Sequence, residues 1–176
     1  MRIRLPSRLN RLKQCQKGTV AIEFAIVGGW LILVLGAIIE TGIFLIIQFN
    51  LQNAAEIAGR KIRLNQVQST TSLDQFKSEI CAELVVRDCA SRLFVDVRSD
   101  NTFTDLAAKV PFETNEPPGV GINQSQTFEP GGPDQWGSLI ITYDWDFSFP
   151  FMDHFFGNLP NGNRRLFGLS ILKNES

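Results

Sequence analysis

Histidine and the common catalytic motifs are scarce or absent in this chain of 176 residues. It contains one histidine, and no zinc signature, phosphate-binding glycine loop or G-x-S-x-G motif occurs. That histidine, His154, clusters with Asp144, Asp146 and Asp153 within eleven residues, a grouping that could be taken for a metal site. Acids on the exposed face of a strand are far commoner than metal ligands, and a metal site would need further ligands at suitable spacing. The composition therefore predicts no enzyme, no metal and no cofactor.

Proline is absent between Pro6 and Pro111. Since proline interrupts helices, a helix can continue through this stretch. Apolar residues recur at three- and four-residue spacing beyond the most hydrophobic part; they are Ile47, Leu51, Ala54, Ala55, Ala58 and Ile62. The pattern predicts one helix over residues 19–64 with an amphipathic second half.

Charge is absent from the sixteen residues 24–39. After Glu40 the apolar run resumes and ends near Ile47. As a helix, residues 24–47 would measure about 36 Å, enough to cross a hydrocarbon core of roughly 30 Å. No small-x-small site for signal peptidase follows the run. The sequence therefore predicts a retained membrane span at about residues 24–47.

Acidic residues are absent from residues 1–18, which carry six basic side chains, whereas residues 64–176 carry 8 basic and 15 acidic ones. A basic segment can bind nucleic acid, but this one adjoins an apolar run, so membrane orientation is the better interpretation. Positive residues stay on the cytoplasmic side. We expect residues 1–18 in the cytoplasm and, in a bacterium, residues 65–176 in the periplasm, with no nucleic acid partner.

The sequence after the long helix predicts an α+β domain. A capping-box pattern at Ser72 and Gln75 precedes a helix over about Leu73–Val86. Alternating residues predict strands at Leu93–Ser99, 138–149 and 165–173, the second half-buried, and residues 111–137 read as a loop. The expected fold class is α+β, with a long N-terminal helix packed on a small domain of one helix and a short antiparallel sheet.

Cysteine is also rare. Cys81 and Cys89 lie eight residues apart in the exported part, and Cys15 in the basic segment has no evident partner. In an oxidising compartment the first two can form a disulfide that pins the helix to the sheet, and free thiols are the alternative.

Glu23 lies at the start of the apolar run. A carboxylate in lipid is costly and usually functional, although a glutamate fixed at the interface is the simplest account. If the chain were cut after Gly18, Thr19 would carry a new α-amino group. That ammonium, on a neighbouring subunit, would neutralise Glu23 and set the axial register of the helices.

These residues carry a family resemblance. The basic leader, Gly18 and "TVAIEF" resemble the class III signal of type IV pilins and pseudopilins. More narrowly, "GTVAIEFAIV", "GAIIETG" and "LQNAAEIAGR" look like the TadE-like family of the tight adherence (Tad) pilus system, and the later Cys81, Cys89 and "KNE" look like its landmarks. The family commonly has a proline where this chain has Gly29.

The resemblance implies a function. Prepilin peptidase would cut between Gly18 and Thr19, and the mature chain would join other pilins or pseudopilins and the Tad inner-membrane assembly platform. An uncleaved bitopic envelope anchor with a periplasmic binding domain is the alternative. Retention at the platform after cleavage, without entry into the fibre, is a third outcome.

Two further features of the helix concern packing. Ala21, Ala25 and Gly29 are spaced by four and form a small-residue stripe suited to close helix contact, although such residues are frequent in membrane helices anyway. Glu40, a candidate second intramembrane acid, would reach the outer interface or contact another subunit; the residues alone do not decide between these.

Overall fold

The computed structural model describes residues 18–67, 71–109, 126–149 and 151–175. Most of the basic leader, with Cys15, and residues 111–125 of the expected loop lie outside these ranges. The chain divides into two compact units, residues 1–39 and residues 40–176. The predicted α+β class, with a long N-terminal helix and a small antiparallel sheet, is confirmed.

Helix α1 covers Thr19–Arg63 and agrees with the predicted helix to within one residue. The helix ends at Arg63, and Asn65, two residues later, has a left-handed φ of 52°. The N–H of Asn65 bonds Ile62 O at 2.9 Å and that of Gln66 bonds Lys61 O at 3.0 Å. This pair of bonds is a Schellman motif, which satisfies the last carbonyls of a helix.

Every other helix and strand among the described residues lies in the second unit. Helix α2 covers Leu73–Glu83, and the predicted capping box is present, with Gln75 N 3.2 Å from Ser72 Oγ. The remaining elements are α3 (Cys89–Arg92), β1 (Leu93–Asp100), α4 (Phe103–Lys109), β2 (Trp136–Trp145), α5 (Met152–Phe156) and β3 (Arg164–Lys173). The sheet is antiparallel in the order β1-β2-β3.

The main core lies between the second half of α1 and one face of the sheet. Leu51 and Ala55 on α1 are fully buried, as are Val95 on β1 and Ile141 on β2. The helix approaches β3 closely at Gly168, where a Cβ would lie 2.6 Å from Leu51 O. Because glycine has no side chain, this position lets helix and strand backbones come into contact.

The prediction of a half-buried second strand is wrong. Leu139 and Ile141 on one face of the strand are fully buried, and Ser138, Ile140 and Thr142 on the other face are each only 2% exposed. β2 is the central strand, and α4, which the sequence analysis missed, packs on β1 and β2. The ring of Phe103 on α4 lies 5.6 Å from that of Trp136 on this face. The strand is therefore covered on both sides.

Element ends differ modestly from the predictions. Helix α2 ends three residues earlier than expected. β2 extends to Trp145 rather than residue 149, and it begins at Trp136, inside the expected loop. In the described part of that loop, Thr127 O and Glu129 N bond the backbone of Val97, so this segment lies along the outer edge of β1.

Candidate functional site

The N-terminal end of α1 holds the first group of candidate residues. Gly18 directly precedes the helix, Thr19 is its first residue, and Glu23 follows one turn later. All three are exposed. Among the residues that the structure describes, Glu23 has no ion-pair partner, which leaves its carboxylate accessible on the helix surface.

The first unit presents an apolar helix surface. Ala21, Ala25 and Gly29 recur every four residues and are exposed together with their larger neighbours. A Cβ at Gly29 would meet no atom within 4 Å. The helix is long and apolar enough to cross a membrane: an 18-residue window has a mean hydropathy of 2.5 and is only 11% buried.

Glu40 is the first residue of the second unit and is only 7% exposed. Its carboxylate accepts two backbone hydrogen bonds from the chain after β2, with Oε1 2.5 Å from Ser148 N and Oε2 2.9 Å from Phe149 N. Hydrogen bonds from N–H groups to a carboxylate are charge-assisted and are stronger than bonds between neutral groups. This intrachain contact is a role that the sequence analysis did not consider for Glu40.

An aromatic contact lies one helical turn beyond Glu40. The rings of Phe44 and Phe147 have centroids 6.3 Å apart, and the guanidinium carbon of Arg164 lies 5.3 Å from the Phe44 centroid. The two contacts hold the segment after β2 and the start of β3 beside α1. The cation–π geometry adds to the packing of the rings.

Two glutamines of α1 bond the free edge of β3. Gln48 Nε2 donates to Phe167 O at 2.9 Å, and Gln52 Nε2 donates to Leu169 O at 3.0 Å. Gln52 Oε1 also accepts from Leu169 N at 3.1 Å. Because an unpaired strand edge can pair with other chains, these side chains protect part of β3 from such pairing.

Cys81 on α2 and Cys89 on α3 are joined by a disulfide, with Cα atoms 5.8 Å apart. The separation lies within the usual range for such bonds. The bridge connects α2 with the short helix that leads into β1.

The acids at the end of β2 and just after it pair with arginines. Asp144 accepts bidentate hydrogen bonds from Arg165 at 2.7 and 3.0 Å, and Asp146 pairs with Arg92. The hydrogen bond from Arg92 lowers the pKa of Asp146 and raises that of Arg92. His154 lies on α5, with its ring centroid 5.7 Å from that of Phe155. Through these ion pairs, Asp144 links β2 to β3, and Asp146 links the chain after β2 to α3.

The C-terminal "KNE" joins the domain to the end of α1. Asn174, only 3% exposed, donates from Nδ2 to Pro130 O at 3.0 Å and to Gly132 O at 2.9 Å. Glu175 N bonds Arg63 O at 2.9 Å. The segment therefore fastens β3 to both α1 and the chain before β2.

Sequence reasoning missed the partners of Glu40, Gln48 and Gln52. Gln48 and Gln52 are polar and do not belong to the apolar pattern of α1. Their spacing of four residues, next to buried Leu51, offered a weak signal that a polar partner was close. Gly168 inside a strand pattern offered another, because such glycines often mark a close backbone approach. No local signal identifies Ser148 and Phe149 as the donors to Glu40.

Comparisons with known proteins reach only part of the chain. Neither a curated protein nor a solved structure matches it. A family match ends at residue 60, so the disulfide, the sheet and "KNE" lie beyond it. It begins at Gly18 and follows α1 nearly to its end. Residues 18–60 of this chain match the TadE-like protein family, in agreement with the resemblance seen in the sequence.

Proposed function

We propose that this chain is a pseudopilin or minor pilin of a Tad-type pilus, a structural component rather than an enzyme. The observation that carries the proposal is the TadE-like match over residues 18–60, which begins at the glycine after which a prepilin peptidase would cut. The six basic residues before Gly18 support a cytoplasmic N-terminus, and the apolar, exposed helix supports a single inner-membrane span.

Cleavage between Gly18 and Thr19 would release an α-amino group at the start of α1. In the assembled complex, this ammonium of one subunit would pair with the exposed Glu23 of another. A charge pair in an apolar helix bundle favours one axial register, because a shifted register would leave a charge unpaired in lipid. The stripe formed by Ala21, Ala25 and Gly29 would let neighbouring helices approach closely.

The second unit would lie in the periplasm. Its disulfide between Cys81 and Cys89 suits that oxidising compartment. The net acidic surface of residues 64–176 would face other pilins or pseudopilins and the Tad assembly platform. The competing function is an uncleaved envelope anchor with the same domain in the periplasm.

N-terminal sequencing of the membrane-extracted protein tests the cleavage. In a host with active prepilin peptidase, we expect the mature chain to start at Thr19. Gly18→Ala should leave the leader attached. Gly42→Ala is the matched control, because a Cβ at Gly42 meets no atom within 4 Å and lies far from the cleavage site in sequence. A wild-type chain that keeps Met1 would refute the pilin proposal and favour the anchor.

A second experiment tests Glu23. Glu23→Gln should be cut normally but should no longer co-purify with other pilins after crosslinking in the membrane. Glu56→Gln, on the exposed surface of the second unit, should co-purify as the wild type does. Sheared pili that contain the protein would place it in the fibre, and pili that lack it would place it at the platform.

A further inference from the structure

Three phenylalanines at one end of the second unit are exposed. Phe151 is 68%, Phe155 76% and Phe156 40% exposed, and they lie on α5 or directly before it. Scattered exposed apolar residues are normal, but large apolar side chains grouped on one short segment mark an interaction surface. We call Phe151, Phe155 and Phe156 the aromatic tip.

Hydrogen bonds and ring contacts fix the aromatic tip beside the first turns of α1 in the second unit. Arg164 Nη1 donates to Phe156 O at 2.9 Å, and the same guanidinium lies over Phe44. The Phe156 ring is 6.4 Å from that of Phe147, which also contacts Phe44. The bonds from Ser148 and Phe149 to Glu40 hold the chain just before the tip.

The helix at this level is itself apolar on its outward side. No charged residue occurs between Glu40 and Glu56. Four large side chains of this stretch are exposed: Ile43 at 45%, Leu45 at 47%, Ile46 at 61% and Phe49 at 74%. The aromatic tip and these four residues therefore belong to the same end of the second unit. This end is apolar, like the stretch of α1 that precedes it in sequence.

The length of α1 before Glu40 sets the depth at which this end of the second unit lies in the membrane. The sequence alone predicts a span at about residues 24–47, but Glu40 and Ile47 are buried in the second unit, so the span is placed before Glu40. Residues 20–39 make 20 helical residues, which rise about 30 Å and match the hydrocarbon thickness of a bilayer. A span that uses these residues ends at Glu40. The aromatic tip, tied to residues 40–44, then lies at the boundary between acyl chains and headgroups.

We infer that the aromatic tip inserts into the outer leaflet of the membrane that α1 crosses, so that lipid is the partner of this surface. Amphipathic segments with phenylalanine or leucine on one face bind such interfaces, and exposed Asp153 and His154 on α5 can remain at headgroup level. The second unit is thereby attached to the membrane at two points, through α1 and through the aromatic tip. The inference rests on the membrane span proposed above and does not depend on cleavage.

Depth-dependent fluorescence quenching in the full chain tests this insertion. In a Cys15→Ser background, single cysteines replace Phe155 in the tip, Ile32 in the span and exposed Asp74 on α2. Each is labelled with bimane, and the protein is reconstituted in phosphatidylcholine vesicles. The vesicles carry a nitroxide near the headgroup or near the end of the acyl chain, and iodide serves as the aqueous quencher.

We expect the Phe155 probe to be quenched several-fold more by the shallow nitroxide than the Asp74 probe, and to resist iodide. A Phe155 probe that iodide quenches as strongly as the Asp74 probe would overturn the insertion. A probe protected from both quenchers would also overturn it, because protein would then cover the tip. Phe151→Cys repeats the measurement if labelling at Phe155 disturbs folding. The Ile32 probe separates the two proposals, because its failure to respond to the deep nitroxide would refute the span itself.

Discussion

Glu40→Ala is the substitution that most directly tests how the second unit is built. Its carboxylate bonds the N–H groups of Ser148 and Phe149, which are 108 and 109 residues away along the chain. Alanine removes both acceptors and keeps the helix, since alanine has the highest helix propensity. The variant should loosen the segment after β2 while α1 stays intact.

The magnitude follows from the two hydrogen bonds. A hydrogen bond to a charged group stabilises a folded protein by about 1.5–3 kcal/mol. Ser148 is exposed and Phe149 half-buried, so water can replace part of each bond in the variant. We therefore expect a local loss of about 2 kcal/mol, which corresponds to about a 30-fold change in an opening equilibrium.

Native-state hydrogen exchange in detergent micelles or nanodiscs measures this change residue by residue. The amides of Ser148 and Phe149 should exchange about 30-fold faster in Glu40→Ala than in the wild type. Glu40→Gln keeps one carbonyl acceptor and should show a smaller increase.

Glu56→Ala is the matched control, because Glu56 is an exposed glutamate on the same helix whose carboxylate accepts only a 3.3 Å bond from Gln52 among its described contacts. It should leave both amides unchanged. If the amides of Ser148 and Phe149 exchange as slowly in Glu40→Ala as in the wild type, Glu40 does not anchor this segment.

Three further variants test other parts of the domain. Gly168→Ala places a Cβ against the helix backbone and should lower the free energy of unfolding by about 1–3 kcal/mol in chemical denaturation. Replacing Cys81 and Cys89 by serine opens a nine-residue loop and should cost about 2.5 kcal/mol in the same assay under oxidising conditions. Arg92→Met should cost less than about 1 kcal/mol at neutral pH, because this ion pair is partly exposed. Since the pKa of Asp146 is lowered in the folded state, the contribution is present above the ordinary value of 3.8 and is lost as pH falls below it, so variant and wild type should converge there.

Controls keep these three measurements specific. Gly42→Ala adds the same methyl group in open space and should not destabilise the protein. A reducing agent should lower wild-type stability to that of the double serine variant and leave the variant unchanged. If the stability difference between Arg92→Met and the wild type persists at pH values well below 3.8, the ion pair with Asp146 is not its cause.

Much of the secondary structure follows from local sequence. The long helix was predicted over residues 19–64 and covers Thr19–Arg63, because no proline interrupts it and its apolar residues keep helical spacing. The capping box at Ser72 and the strands at Leu93 and residue 165 likewise depend on neighbours a few residues apart. The residues of the candidate cleavage and assembly site, Gly18 and Glu23, are also set by a local pattern.

The sequence alone determined a charge-segregated chain with an apolar helix, a small α+β domain and a TadE-like N-terminal motif. Tertiary structure alone decided that Glu40 bonds the segment after β2, that Gln48 and Gln52 cover the edge of β3, and that α4 buries the second face of β2. These contacts join residues tens to more than a hundred positions apart. Periodicity and capping describe only neighbours along the chain, so the pairings are fixed when the sheet closes onto the helix.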